Sequence, residues 1–201
     1  MNGSKRVSVA ALKLCECALM VALSILLDLL SKVLTAGMSN AFWPGGGGIS
    51  IGMLPIVFIS LRHGNLWGIM SGLVYSGVQI VTGWYAPPAG TIGSFVLCVL
   101  LDYVLAFTVL GLAALFAKAI AKKPLNYVFG AFSVCMLRFV CSFLSGAILW
   151  GDWIAWEGFS SPWLYSFCYN ISYMLPNAVI TSLLIFLICS RIDPHTLKRN
   201  R

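Results

Sequence analysis

Apolar residues in this chain come in long, nearly unbroken runs rather than at alternate positions or at every third or fourth. Six runs stand out, at about Val9–Leu34, Ile49–Leu61, Leu66–Thr82, Thr91–Ala119, Tyr127–Trp150 and Pro162–Ser190. A helix needs about 20 consecutive apolar residues to cross the hydrocarbon of a bilayer. The runs therefore predict an all-α, polytopic membrane protein of six transmembrane helices in a single domain over 1–201. The second run is short for a span and carries Pro55, so a tilted, broken or half-crossing helix is expected there.

Composition supports the pattern. Of 201 residues, 60% are hydrophobic and only 9% charged, against about a quarter charged in an ordinary soluble domain. That is too little charge to coat a water-facing surface. The net charge of +7 does not point to nucleic acid, because the basic residues form no aromatic-interleaved stripe. They fall instead between alternate runs. Lys5, Arg6 and Lys13 precede or begin the first; Arg62 separates the second and third; Lys118, Lys122 and Lys123 separate the fourth and fifth; Arg191, Lys198, Arg199 and Arg201 follow the sixth. The intervening connections 35–48, 83–90 and 151–161 hold no Lys or Arg, and the last carries Asp152 and Glu157. By the positive-inside rule both termini are cytoplasmic. Lys5 and Arg6 also mimic a signal peptide, but the run continues to Leu30 without a clean cleavage site and reads as a retained span.

The three connections without basic residues are aromatic. AFWPGGGG (41–48), TGWYAPPAG (82–90) and WGDWIAWEGFSSPWLY (150–165) hold six of the seven tryptophans. An interfacial belt explains part of this, yet the opposite boundary has only Trp67 with Tyr127 and Phe129. An aromatic-lined pocket open to the outside is the other reading.

Chemistry within the runs is sparse. Asp102 interrupts VLLDYVLAF (99–107), where an ionisable side chain costs about 3 kcal/mol or more unless something compensates it. Either a neighbouring helix or Arg138 satisfies it, or it waits for a cationic ligand. Glu16 and Asp28 sit in the first run; Lys13 is the expected partner of Glu16, and Asp28 is expected to be wet. Tyr165, Tyr169 and Tyr173 recur every fourth residue with Asn170 beside them, which suits either helix pairing or a heterocyclic ligand. Ala18 and Ala22 let another helix approach closely, either within the molecule or from a partner. Gly68, Gly72 and Ser76 predict tight packing of the third helix. Cysteines 15, 17, 98, 135, 141, 168 and 189 show no metal-ligand or disulfide pattern and are expected to be free, buried thiols. No phosphate loop, HExxH or GxSxG is present, and His63 and His195 form no metal pair. The residues predict neither an enzyme nor a cofactor, and leave substrate capture and a ligand-free membrane scaffold as the competing readings.

The segments ALMVA (18–22), ISIGMLPIVFISLRHG (49–64), LDYVLAFTVLGLAALF (101–116), LRFVCSFLSGAILWG (137–151) and SPWLYSFCYN (161–170), taken in order, resemble a known family. It is the thiamine-specific substrate-binding S components of energy-coupling factor (ECF) vitamin transporters. The resemblance implies a six-helix protein that captures thiamine from outside and delivers it through a transmembrane coupling subunit and two ATPases. It assigns partner docking to Ala18 and Ala22, and thiamine contacts to Asp102, Tyr103, Trp150, Tyr165 and Asn170. Trp43 and Tyr85 correspond to outer-loop aromatics of the site. Two positions depart from the family. Asp102 stands where glutamate is usual, and Ser142 where histidine is usual, so a thiamine precursor or related heterocycle is the alternative ligand.

Overall fold

The computed structural model describes residues 9–43, 47–151 and 158–197. Six helical rods account for most of them: α1 (Val9–Phe42), α2 (Met53–His63), α3 (Asn65–Thr82), α4 (Ile92–Ala117), α5 (Leu125–Leu149) and α6 (Pro162–Arg191). Among the described residues, α1, α4, α5 and α6 are long and apolar enough to cross a membrane. The Lys5, Arg6, Lys198, Arg199 and Arg201 parts of the charge pattern, with Asp152, Glu157, Trp153 and Trp156, lie outside the described residues.

The shortest rod occupies the centre. Every residue of α2 from Pro55 to Leu61 is buried, enclosed by α1, α3, α4 and α6. A helix that is apolar on all sides belongs in such a place. Pro55 sits in its first turn, where a missing backbone N–H leaves no bond unmade. Gly64 then reverses the chain at φ 91°, a left-handed conformation glycine adopts without strain, and α3 begins at once.

The predicted tight packing of α3 is present, and its partner is α4. A Cβ on Gly72 would lie 2.5 Å from the Phe107 carbonyl oxygen, and one on Gly68 would lie 2.8 Å from the Gly111 Cα. Removing side chains lets the two backbones touch. Ser60 of α2 joins the same contact, donating to the Gly111 carbonyl at 2.6 Å and accepting from the Ala114 N–H at 3.1 Å.

α4 is irregular. Thr91 caps it reciprocally with Ser94, the stretch Val99–Leu105 widens into a π-helical turn, and Val109–Leu112 tightens into a 3₁₀ turn. Both deviations lie where α4 packs against α3 and α5, and the contact with α5 continues past them to Ala113–Ala117. Wide turns of this kind commonly lie at functional sites because they re-aim side chains, and here the wide turn carries Asp102.

At the end where the basic residues gather, the structure corrects one expected pairing. Glu16 binds Arg62 of α2 through two parallel bonds of 2.7 and 2.8 Å and also meets His63 at 2.7 Å; Lys13 is not its partner. The planar guanidinium matches a carboxylate in a way an ammonium one turn away on the same helix cannot. Arg62 further donates to the Pro194 carbonyl at 3.0 Å, and Lys123 pairs with Asp193 at 2.9 Å, so residues 192–197 close over this end. The seven cysteines are free, as expected, but not all are buried. Cys15 is exposed and Cys141 and Cys168 are half-buried, because hydrocarbon as well as protein can surround an apolar thiol. Ala18 and Ala22 lie on the exposed face of α1, among Leu19, Leu26 and Leu30.

Candidate functional site

At the opposite, aromatic end the helices enclose a cavity of about 420 Å³. All eight residues singled out as ligand contacts from the sequence line it: Trp43, Tyr85, Asp102, Tyr103, Ser142, Trp150, Tyr165 and Asn170. Trp84 and Trp163 are aromatic residues of the same end that it excludes. Trp84 stacks on the outside of Tyr103 with ring centroids 5.4 Å apart, and Trp163 is half exposed against Phe143.

The segment leading into α2 roofs the cavity and is tied down on two sides. Toward α6, Trp43 Nε1 donates to Ser172 at 2.6 Å and the Gly47 N–H to the Tyr169 hydroxyl at 3.3 Å. The Asn177 amide bridges the Gly48 carbonyl and the Ser50 N–H, both at 2.9 Å. Toward α1, Ser50 donates to Asp28 at 2.7 Å. The loop before α4 is held differently. The Tyr103 hydroxyl donates to the Gly83 carbonyl at 2.8 Å and accepts from the Tyr85 N–H at 3.1 Å. Its one O–H and one of its lone pairs are thus engaged by the loop.

Asp102 has partners of its own. Ser145 of α5 donates a short hydrogen bond to Oδ2, and the Cys98 thiol, one turn earlier, lies 3.6 Å from the same oxygen. Trp150 is a further hydrogen-bonding partner. Among the described residues no Lys or Arg pairs with it, so the expected alternative of an Asp102–Arg138 bridge is corrected. Arg138 instead lays its guanidinium over the Phe107 ring, 4.3 Å from the centroid, and lines the cavity. Its Nε is buried and has no partner.

On α6 the tyrosine ladder forms as its spacing predicted. Tyr165 contacts Tyr169 at 5.6 Å and Tyr169 contacts Tyr173 at 5.9 Å. Asn170 accepts from the Tyr173 hydroxyl at 2.7 Å and donates back to the Ser166 carbonyl at 2.9 Å.

The sequence reading missed a second polar cluster. Asp28 is not wet: it is 9% exposed and receives Lys32 at 2.8 Å, Gln79 at 2.8 Å and Ser50. Gln79 also donates to the Tyr75 hydroxyl at 2.6 Å. These groups line the same cavity beside α1 and α3. Two signals pointed there, the Asp28/Lys32 spacing of four and a lone glutamine inside an apolar helix.

A bundle of apolar helices that encloses a polar, aromatic-walled cavity at one end is the architecture of a membrane transport protein. The model of the thiamine transporter protein family (Thia_YuaJ) matches residues 14–196. Among curated proteins, the thiamine transporter ThiT of Bacillus subtilis (strain 168) is 31% identical over 197 residues, covering 94% of this chain and 93% of that protein. Among solved structures, ThiT from Listeria monocytogenes superposes with a TM-score of 0.68 at 20% identity, covering 91% of this chain and 96% of that one; this likeness concerns the fold. The chain belongs to the thiamine transporter protein family and is a multi-pass protein of the plasma membrane.

Proposed function

We propose that this protein is the substrate-capture (S) component of an ECF-type importer, binding thiamine from the extracellular side. A transmembrane coupling subunit and two ATPase subunits supply the energy and release the vitamin inside. The observation that carries the reading is the convergence of Asp102 and the aromatic residues Trp43, Tyr85, Trp150 and Tyr165 on one cavity. Its volume of about 420 Å³ falls in the range of small-molecule sites, roughly 300–1,000 Å³.

The chemistry suits the vitamin. Thiamine carries a fixed positive charge on its thiazolium ring and a hydrogen-bonding aminopyrimidine. Tryptophan and tyrosine faces attract such a cation by about 0.5–2 kcal/mol each. The Asp102 carboxylate, with Oδ2 fixed by Ser145 and Cys98, adds a charge-assisted partner. Asn170 and Ser142 supply neutral polar groups. A thiamine precursor or related heterocycle is the second reading, favoured by the shorter Asp102 and by the uncharged Ser142. A transport role of this kind needs no catalytic residues.

Docking to the coupling subunit falls to Ala18 and Ala22, which lie on the exposed face of α1 away from the cavity. Small side chains there let a partner helix approach closely. The topology proposed is that of the charge pattern, with both termini cytoplasmic and the aromatic end outside.

Tryptophan fluorescence tests the binding claim directly, because Trp43 and Trp150 line the cavity. Thiamine at nanomolar-to-micromolar concentration is expected to quench the purified protein; an unchanged spectrum defeats the proposal. Titrating the separate pyrimidine and thiazole halves then ranks thiamine against its precursors. Replacing Ala18 or Ala22 with tryptophan should spare quenching yet abolish uptake in cells, and loss of quenching would count against the docking role.

A further inference from the structure

Of the four charged side chains lining the cavity, Asp28, Lys32, Asp102 and Arg138, the arginine is the one with no hydrogen bond or ion pair among the described residues. Arg138, Ser142, Gly146 and Trp150 follow one another at intervals of four along α5, and all four line the cavity. At 1.5 Å per residue, Arg138 lies roughly 18 Å along the helix from Trp150, at the floor of a space whose mouth Trp150 marks. Its guanidinium carbon sits 4.3 Å from the centroid of Phe107. Its Nε is buried without a partner, and among the described residues it makes no hydrogen bond or ion pair.

This is an expensive arrangement to leave alone. The side chain is half-buried; a guanidinium carries five N–H donors and cannot shed its charge, and a donor shielded from water, such as its Nε, costs free energy until something accepts from it. Stacking on Phe107 attracts the charge but accepts no hydrogen bond in the plane of the fork. The nearest candidate within the protein, Asp102, is engaged by Ser145 and Cys98 instead.

We infer that Arg138 is a specificity-determining residue of the binding site, whose guanidinium takes a hydrogen-bond acceptor on the ligand. The inference rests on the thiamine reading given above and deepens it. Like charges repel, so the thiazolium ring stays with Asp102 and the aromatic walls, and a neutral acceptor points to the floor. Thiamine offers three such acceptors, the two pyrimidine ring nitrogens and the hydroxyl oxygen of its hydroxyethyl arm. Each carries a lone pair that a guanidinium fork can engage.

The test uses the full chain in detergent and reads affinity by tryptophan quenching. Wild type, Arg138→Gln and Arg138→Lys are titrated with thiamine, with an analogue bearing ethyl in place of hydroxyethyl, and with analogues in which either pyrimidine nitrogen is replaced by CH. Arg138→Gln is expected to weaken thiamine about tenfold or more, while one acceptor-deleted analogue binds wild type and variant within about twofold. The analogue that loses its sensitivity identifies the partner atom. Arg138→Lys, which keeps the charge but loses the fork, should recover part of the affinity. If Arg138→Gln fails a thermal-unfolding control, Arg138→Lys carries the same comparison, with a loss of about threefold for thiamine and none for that analogue. An equal loss for every ligand, or no loss for thiamine, overturns the inference and leaves Arg138 as a packing residue against Phe107. Absence of quenching in the wild type removes the thiamine reading itself, and the inference with it.

Discussion

The two ends of this bundle treat charge differently. At the basic end, Glu16, Arg62 and His63 meet one another, and Lys123 meets Asp193. These pairs tie α1, α2, the connection before α5 and the segment after α6 together. At the aromatic end Lys32 pairs with Asp28 beside α1, but elsewhere on the same cavity Asp102 is held by neutral donors and Arg138, among the described residues, has no hydrogen bond or ion pair. Complementary charges brought together close a structure, whereas charges kept apart leave it able to respond to what arrives. Under the proposed function, the first end serves stability and the second recognition.

If that division holds, substitutions should separate binding from stability. The largest effect is expected from Asp102→Asn, which keeps the shape and removes the charge. Affinity for thiamine should fall by about tenfold or more, about 1.4 kcal/mol, with the melting temperature almost unmoved. A variant that binds normally would take Asp102 out of the site. Glu16→Gln should do the reverse, costing about 1 kcal/mol of stability, since the pair is only partly shielded from water. Quenching by thiamine should be unchanged, and a shifted affinity would show that the two ends are coupled.

Ser145→Ala sharpens the contrast within the aromatic end. It removes the donor that fixes Asp102 Oδ2, so affinity should drop about threefold to fivefold, close to 1 kcal/mol. A stability loss without a binding loss would make Ser145 a helix-packing residue only. The smallest effect belongs to Asp193→Asn. The Lys123 ammonium holds the Asp193 carboxyl below the usual carboxylate range. A depressed carboxyl contributes stability above its unfolded pKa and loses it as pH falls through the folded value. The variant should therefore melt slightly lower than wild type near neutral pH, by a few tenths of about 1 kcal/mol at most for so exposed a pair. The two melting curves should converge in acid, and a gap that widens there would reverse the assignment.

How much of this was visible in the sequence depends on the kind of information needed. Apolar runs announce helices and a membrane because hydropathy is a local property, and the shortness of the second run was plain. The groups brought to one cavity were legible as aromatic and polar positions near one end. Their partners were not. Asp102 finds Ser145 from 43 residues away and Asp28 finds Gln79 from 51 away, and a run of apolar residues does not say which side of a helix faces which neighbour. The wide turn in α4 changes the facing of Asp102 without leaving a signature residue in VLLDYVL. Tyr103 shows the same limit, since its hydroxyl serves the loop at Gly83 and Tyr85, a use that no spacing within α4 foretells.

The encased position of α2 carries a consequence for biogenesis. Eleven residues extend about 16 Å, roughly half the thickness of the hydrocarbon core. A segment that short gains too little from lipid to partition into the bilayer unaided. It must enter joined to α3 across the Gly64 bend, as one hairpin, with its neighbours then assembling around it in place of acyl chains.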